Sequence, residues 1–185
     1  MPCGVYWQKI IMLFITLVMA LLNPAMLYDF NAKNSKRDWI IVDDVVMGGR
    51  SDGHFEVNEE GHGHFYGSVS LENNGGFSSV RRRMDAVSVE DFSKVQLRIK
   101  GDGKRFQFRI KAKARDYYSY IQYFETSGEW ETIELELDEF YASFRGRKLD
   151  MPKFDQAQIE ECTFLIANYK AEDFDLLIDQ IQLIN

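Results

Sequence analysis

The sequence predicts an all-β fold, a β-sandwich of jelly-roll type, on three observations. Apolar and polar residues alternate with period 2 in several short stretches, as strands with one buried and one wet face require. Clusters of Gly, Asn, Asp and Ser punctuate these stretches about every 8–12 residues, the spacing of sandwiches and barrels. Aromatic residues make up 14% of the 185 residues, with 14 Phe and 9 Tyr, and such side chains suit a half-buried pleat. No segment sustains the 3.6 period of helices packed on a parallel sheet.

In chain order, Lys9 precedes thirteen largely apolar residues, Ile10 to Leu22, and Asn23-Pro24 then breaks the run. That length falls short of the roughly 20 residues of a membrane span and suits a signal-peptide core. Residues 1–26 are therefore expected to be a signal peptide or membrane anchor, giving an exported or membrane-attached protein. Cleavage near Ala25, retention as an anchor, and a start at Met26 that leaves a cytoplasmic chain all stay open. Residues 27–185 hold one domain, enough to bury an ordinary core.

Within the domain, Trp39 to Val42 is a short apolar run that meets Asp43-Asp44 and breaks at Gly48-Gly49-Arg50. Phe65, Gly67, Val69 and Leu71 alternate with Tyr66, Ser68 and Ser70, and a hairpin tip at Asn58–Gly61 precedes them. Leu71 to Arg81 has the same build, with an Asn/Gly turn followed by hydroxyls and a cation. Val95, Leu97 and Ile99, then Phe106, Phe108 and Ile110, flank Gly101-Asp102-Gly103 and read as a hairpin. Tyr117 to Phe124 is aromatic on both faces, and Ser127-Gly128 turns it toward Trp130–Leu137. Helical turns are expected near Ser88–Phe92 and Asp138–Ser143. Thr163–Asn168 and Phe174–Leu183 close the chain, with a bulge near Asp179-Gln180 where the apolar parity flips.

Charge narrows function. The net charge of −7 argues against nonspecific nucleic-acid binding, which depends on neutralising phosphates. Lys94 to Arg115 holds nine cations and one acid, whereas Glu125 to Glu139 holds seven acids and no cation. If these strands are neighbours, Arg98, Arg109 and Lys111 face Glu134 and Glu136. The same basic strands also allow a Tyr-lined groove built on Arg109, Tyr118 and Tyr120 for an anionic or sugar ligand.

Catalytic signatures do not emerge. There is no Gly-x-Ser-x-Gly elbow, no His-Glu-x-x-His and no cysteine–histidine ligand set. His54, His62 and His64 read as surface residues around a turn. Cys162 reads as an unreactive small hydrophobe on a strand. Adjacent carboxylates on a strand point to opposite faces, so Asp43 and Asp44 are expected to act separately, one of them pairing Arg50 or Arg81. Gly48 and Gly49 mark positive φ or close backbone approach rather than a phosphate cradle.

Together, Trp39 with Asp43-Asp-Val-Val-Met-Gly-Gly-Arg-Ser51, Asn73-Asn-Gly-Gly-Phe-Ser-Ser-Val-Arg81, Arg98-x-Lys-Gly-Asp-Gly103, Tyr118-Ser-Tyr120, Trp130 and Phe144-Arg-Gly-Arg147 resemble the complex I intermediate-associated protein 30 family over about Tyr28 to Leu183. The resemblance implies a galactose-binding-like jelly roll. It also implies a non-catalytic role, since the family's eukaryotic members are assembly factors for respiratory complex I. The expected binding residues are Trp39, Asp43, Asp44, Gly48, Gly49, Arg50, Arg81, Arg109, Tyr118 and Tyr120, with no catalytic residue, metal or cofactor. The expected partner is a protein, such as a membrane-complex assembly intermediate; a glycan is the alternative. Membrane contact is expected only through the amino-terminal segment.

Overall fold

The computed structural model describes residues 24–30 and 38–185, with the side chains of Val46 and Met47 excepted. Residues 1–23 of the expected signal or anchor segment, 1–26, therefore lie outside the described residues, whereas Ala25 and Met26 begin a strand of the domain and pair with Leu183 and Gln182. Among those described, no helix is long and apolar enough to cross a membrane.

The alternating stretches form two antiparallel sheets packed face to face. The first runs β3 (Asp52–Val57), β4 (Gly63–Val69), β13 (Glu172–Ile184), β6 (Lys94–Lys100), β9 (Trp130–Glu136), and β1 (Ala25–Asp29) pairs with the later half of β13. The second runs β11 (Arg147–Lys148), β10 (Tyr141–Phe144), β8 (Ser119–Glu125), β7 (Arg105–Lys111), β12 (Gln158–Ile166), β5 (Ser78–Ser88), β2 (Ile40–Ile41). Short 3-10 turns at Asp44–Met47, Glu72–Asn74 and Leu137–Glu139 interrupt the strands; of the expected helical turns, the last corresponds in part to the one near Asp138.

Alternation decides which side chains meet between the sheets. Leu97 and Ile99 of β6 and Leu176, Ile178 and Ile181 of β13 face Phe106, Phe108 and Ile110 of β7 and Phe164 of β12, all fully buried. Each such side chain stabilises the fold by about 1.5–3 kcal/mol through area removed from water. Cys162 lies in the same layer, free and buried, and burial pushes its thiol up to about 12, which makes it inert. The expected bulge is present: the pairing of β13 with β6 shifts register between Ile178 and Gln180.

Sheet membership corrects one expectation. β6 and β7 are not a hairpin; Gly101-Asp102-Gly103 carries the chain from the first sheet to the second. Neighbours hold this turn in place. Asp175 N–H donates to Asp102 Oδ2 at 3.0 Å, and a Cβ at Gly101 would lie 2.5 Å from the Thr126 side chain. Ser127-Gly128 crosses back in the same way, from β8 to β9. Only part of the proposed charge pairing follows. Lys94 reaches Glu134 and Glu136 at 3.0 and 3.2 Å, while Arg98 opposes Thr132 and stacks over Trp130. Arg109 and Lys111 belong to the other sheet, where Lys111 meets Glu161 at 3.6 Å.

Candidate functional site

The Asp43-Asp44 step ties the loops at one end of the sandwich. After Asp44 the chain makes a 3-10 turn that Gly48 ends at φ 91°. This return brings Ser51 back to the Asp44 side chain, which is 1% exposed. Asp44 accepts four hydrogen bonds: from Ser51 N–H (3.0 Å), Ser51 Oγ (2.5 Å), Gly76 N–H (2.6 Å) and Phe77 N–H (3.2 Å). Burial pushes the carboxyl pKa up, but the donors from Ser51, Gly76 and Phe77 outweigh it and hold it below the usual range. Asp43 points the other way and accepts from Gly53 N–H at 2.9 Å and Ser78 Oγ at 2.6 Å.

The glycines are set by these carboxylates. A Cβ on Gly49 would lie 2.2 Å from Asp44 Oδ1, and one on Gly75 would lie 2.6 Å from Oδ2. Gly49→Ala is expected to cost about 2 kcal/mol, because the carboxylate must turn from its donors to admit the methyl group; urea unfolding measures the loss. Among the described residues, no group of three His, Cys, Asp or Glu side chains is placed to hold a metal.

The loop that Asp44 locks forms one wall of a groove on the outer face of the second sheet. Register places Arg81, Thr163, Arg109, Ile121 and Tyr141 in one row across β5, β12, β7, β8 and β10. Leu165, Gln107 and Tyr123 form the next row. Leu71 and Asn74–Phe77 make the near wall, the β10–β11 hairpin makes the far wall, and Tyr117 and Tyr169 stand at the rim; the volume is about 730 Å³. Arg109 donates through Nε and Nη2 to Gln107 Oε1 at 2.9 and 2.6 Å. Burial lowers its pKa to about 10, offset in part by the nearby Tyr123 and Tyr141, so it remains charged at neutral pH. None of the ion pairs among the described residues includes Arg109.

Comparison with known proteins places this architecture. The model of the family described as Complex I intermediate-associated protein 30 matches residues 28–178. This chain belongs to that family. A mouse relative, "Complex I intermediate-associated protein 30, mitochondrial", is 22% identical over 67% of this chain and 44% of its own length, so the chain spans less than half of that relative. In fold, the chain resembles the family 11 carbohydrate-binding module of Clostridium thermocellum, solved with a β-1,3-1,4-mixed-linked tetrasaccharide. The TM-score is 0.67 at 19% identity, over 89% of this chain and 96% of the module. The agarase AgWH50C matches at TM-score 0.58 and 12% identity, over 88% of this chain and 24% of the enzyme.

In this member of the complex I intermediate-associated protein 30 family, the expected site residues divide. Asp43 and Asp44, with Gly49 packed on Asp44, converge with the Gly76–Ser78 segment, as expected of the motif loops. Gly48 instead ends the 3-10 turn with open space around it. The pairing with arginine is corrected: Arg50 reaches Glu72 at 2.7 Å on the surface, and Arg81 has its Nε buried with no hydrogen-bond partner. Four donors already saturate Asp44, which leaves no lone pair for a guanidinium. Trp39 is a core residue, 5% exposed and stacked on Phe30 at 5.4 Å, with no face open to a ligand.

Arg109 lies on the groove floor as the basic-groove reading expects, but its aromatic partners differ. Tyr120 pairs with Ile110 on the inner face and is 2% exposed, and burial pushes its hydroxyl up to about 12. Tyr118 is half-buried and meets Tyr120 edge-on. The rings beside Arg109 are Tyr123 and Tyr141, which the sequence reading missed. Cross-strand register selects Tyr123, which lies opposite Gln107 and so shares the face of Arg109, away from Phe106 and Phe108.

The β10–β11 hairpin tip also lines the groove and was not among the expected site residues. Phe144 and Arg147 pair across Arg145-Gly146, and both central residues have positive φ (50° and 75°), a two-residue turn of type I′. Arginine in that conformation is strained, whereas asparagine accepts it. Arg145→Asn is expected to raise stability by up to about 1 kcal/mol, which thermal unfolding would show as a higher midpoint.

Proposed function

We propose that this domain is a non-catalytic binding module of assembly-factor type, gripping a segment of a protein-complex intermediate in the groove of the second sheet. The observation that carries the reading is a charged Arg109 with no internal counter-ion, set among tyrosines on a rigid strand floor. Membership of the complex I intermediate-associated protein 30 family supports the choice of a protein partner. A photo-crosslinking residue at Tyr123 tests it in cells: enrichment of a respiratory-complex subunit is expected there and not from the same residue at Tyr66 on the first sheet. Equal capture from both faces, or no respiratory subunit, overturns the reading. Export or membrane attachment belongs to the same proposal, and fractionation with sequencing of the mature amino terminus checks it.

A second reading, glycan binding, is favoured by the exposed rings of Tyr117 and Tyr169 at the rim, since such faces stack on sugars. A glycan array decides it. Retention of a neutral oligosaccharide that is lost in Tyr117→Ala supports this reading, and no retention sinks it.

A further inference from the structure

The charge of the groove departs from that of the chain. The whole sequence carries 29 acidic residues against 22 Lys and Arg, yet the groove is lined by Arg109, Arg145, Arg147 and Lys148 and by no Asp or Glu. Surface cations in an acidic protein ordinarily find carboxylates, as Lys153 does with Glu139 and Arg50 with Glu72. Here two of them lie over aromatic rings instead: Arg145 over Phe144 at 5.3 Å and Lys148 over Tyr141 at 5.1 Å. A ring attracts the cation through its quadrupole and carries no net charge, so it leaves the cation without a counter-ion.

The acid in the adjoining row of the sheet is already committed. Glu161, in the outer-face row next to Arg109, is 2% exposed and holds Arg83 at 3.0 Å and Lys111 at 3.6 Å. Arg109 is thus oriented by Gln107 but not neutralised. Between the cations the lining mixes polar side chains, Gln107, Ser119 and Ser143, with apolar ones, of which Leu71 and Phe144 are exposed. Such a surface suits a chain that alternates carboxylates with apolar side chains.

We propose that the groove takes an acidic, leucine-type polypeptide segment whose carboxylates seat on Arg109 and on the Arg145–Lys148 hairpin. The inference rests on the binding-module reading and names the chemistry of its ligand. The occupant is a partner and not this chain's own undescribed segments. Residues 1–23 and 31–37 carry Lys9, Lys33, Lys36 and Arg37 and no carboxylate, so the lip would repel them. Apolar side chains on the ligand separate this proposal from an acidic polysaccharide, which would leave the exposed Leu71 and Phe144 unmatched.

Fluorescence anisotropy with the full chain tests it, using labelled peptides of repeated Glu-Leu-Glu and Lys-Leu-Lys, and labelled polygalacturonate. The Glu-Leu-Glu peptide is expected to bind, the lysine peptide to fail, and binding to weaken as salt rises. Arg109→Gln should lower affinity about ten- to a hundred-fold, the loss of charge-assisted hydrogen bonds to a carboxylate. The triple change Arg145→Ala, Arg147→Ala, Lys148→Ala should do likewise, and it lies on an exposed hairpin that the core does not need. Arg98→Ala, on the outer face of the first sheet, should leave binding unchanged. No binding of the Glu-Leu-Glu peptide, loss in Arg98→Ala equal to that in the triple variant, or tighter binding of polygalacturonate overturns the inference. Tyr123 crosslinking to a respiratory subunit combined with no peptide binding would leave the binding-module reading standing and remove only the acidic ligand.

Discussion

Asp44→Ala is expected to destabilise the domain by about 3–5 kcal/mol, the scale for stripping the partner from a buried charge site. Four donors converge on this carboxylate, and alanine would leave Ser51 N–H, Gly76 N–H and Phe77 N–H facing an apolar methyl group. No rearrangement of a flexible side chain can replace them, because three of the four are backbone groups. Urea unfolding should show a lower midpoint at unchanged slope. Asp44 also gives stability an acid limit. Its folded pKa is held below the ordinary value, so its contribution is present above the unfolded carboxyl pKa of about 3.9 and is lost as pH falls through the lower folded value. Asp44→Asn should flatten the stability profile below about pH 4 relative to the native chain. A double-mutant cycle completes the test. With no shared contact, Asp44→Ala and Arg81→Ala should add within about 0.5 kcal/mol, and strong coupling would restore the ion pair that the structure excludes.

The two sheets were legible because alternation is a local property. Val95, Leu97 and Ile99 declare their buried face without reference to any other strand, and even the bulge on β13 shows as a parity flip. Which strands neighbour which is a different matter. β6 and β7 have the turn and the patterns of a hairpin, yet the turn crosses the sandwich because Asp102 and Thr126 bind it to neighbours distant in sequence. Nothing within ten residues of Gly103 carries that information.

The loop clamp was legible as composition and not as pairing. Acid, glycine and serine at Asp44, Gly49, Ser51 and Gly75-Gly76 state that a carboxylate will be packed against bare backbone. Arginine was the obvious partner by charge, but backbone N–H groups satisfied the carboxylate first. Tyr120 failed for another reason. Its strand is aromatic on both faces, so period 2 cannot say which ring faces out, and only the register Ile110–Tyr120 decides. The outward face of Arg109 was legible because Phe108 and Ile110 on either side fix its parity.

Register also explains why the groove keeps an unneutralised cation, and it leads to the second large effect. Glu161→Ala is expected to cost about 3 kcal/mol, near the lower end for breaking a buried ion pair. Its side chain is 3% exposed, and its two oxygens serve different partners, Oε2 for Arg83 and Oε1 for Lys111. The partners lose unequally. The Arg83 side chain is 56% exposed and can turn to water, so Arg83→Ala should cost under about 1 kcal/mol. The Lys111 side chain is 14% exposed and would keep only the Asp116 carbonyl at 2.9 Å, so most of the loss is its burial without a counter-ion. Lys111→Met, which keeps the stem and removes the charge, should therefore recover part of the loss when added to Glu161→Ala. Unfolding midpoints of the two single variants and the double variant decide the matter; a double variant no more stable than Glu161→Ala alone would place the cost in lost packing around the glutamate stem.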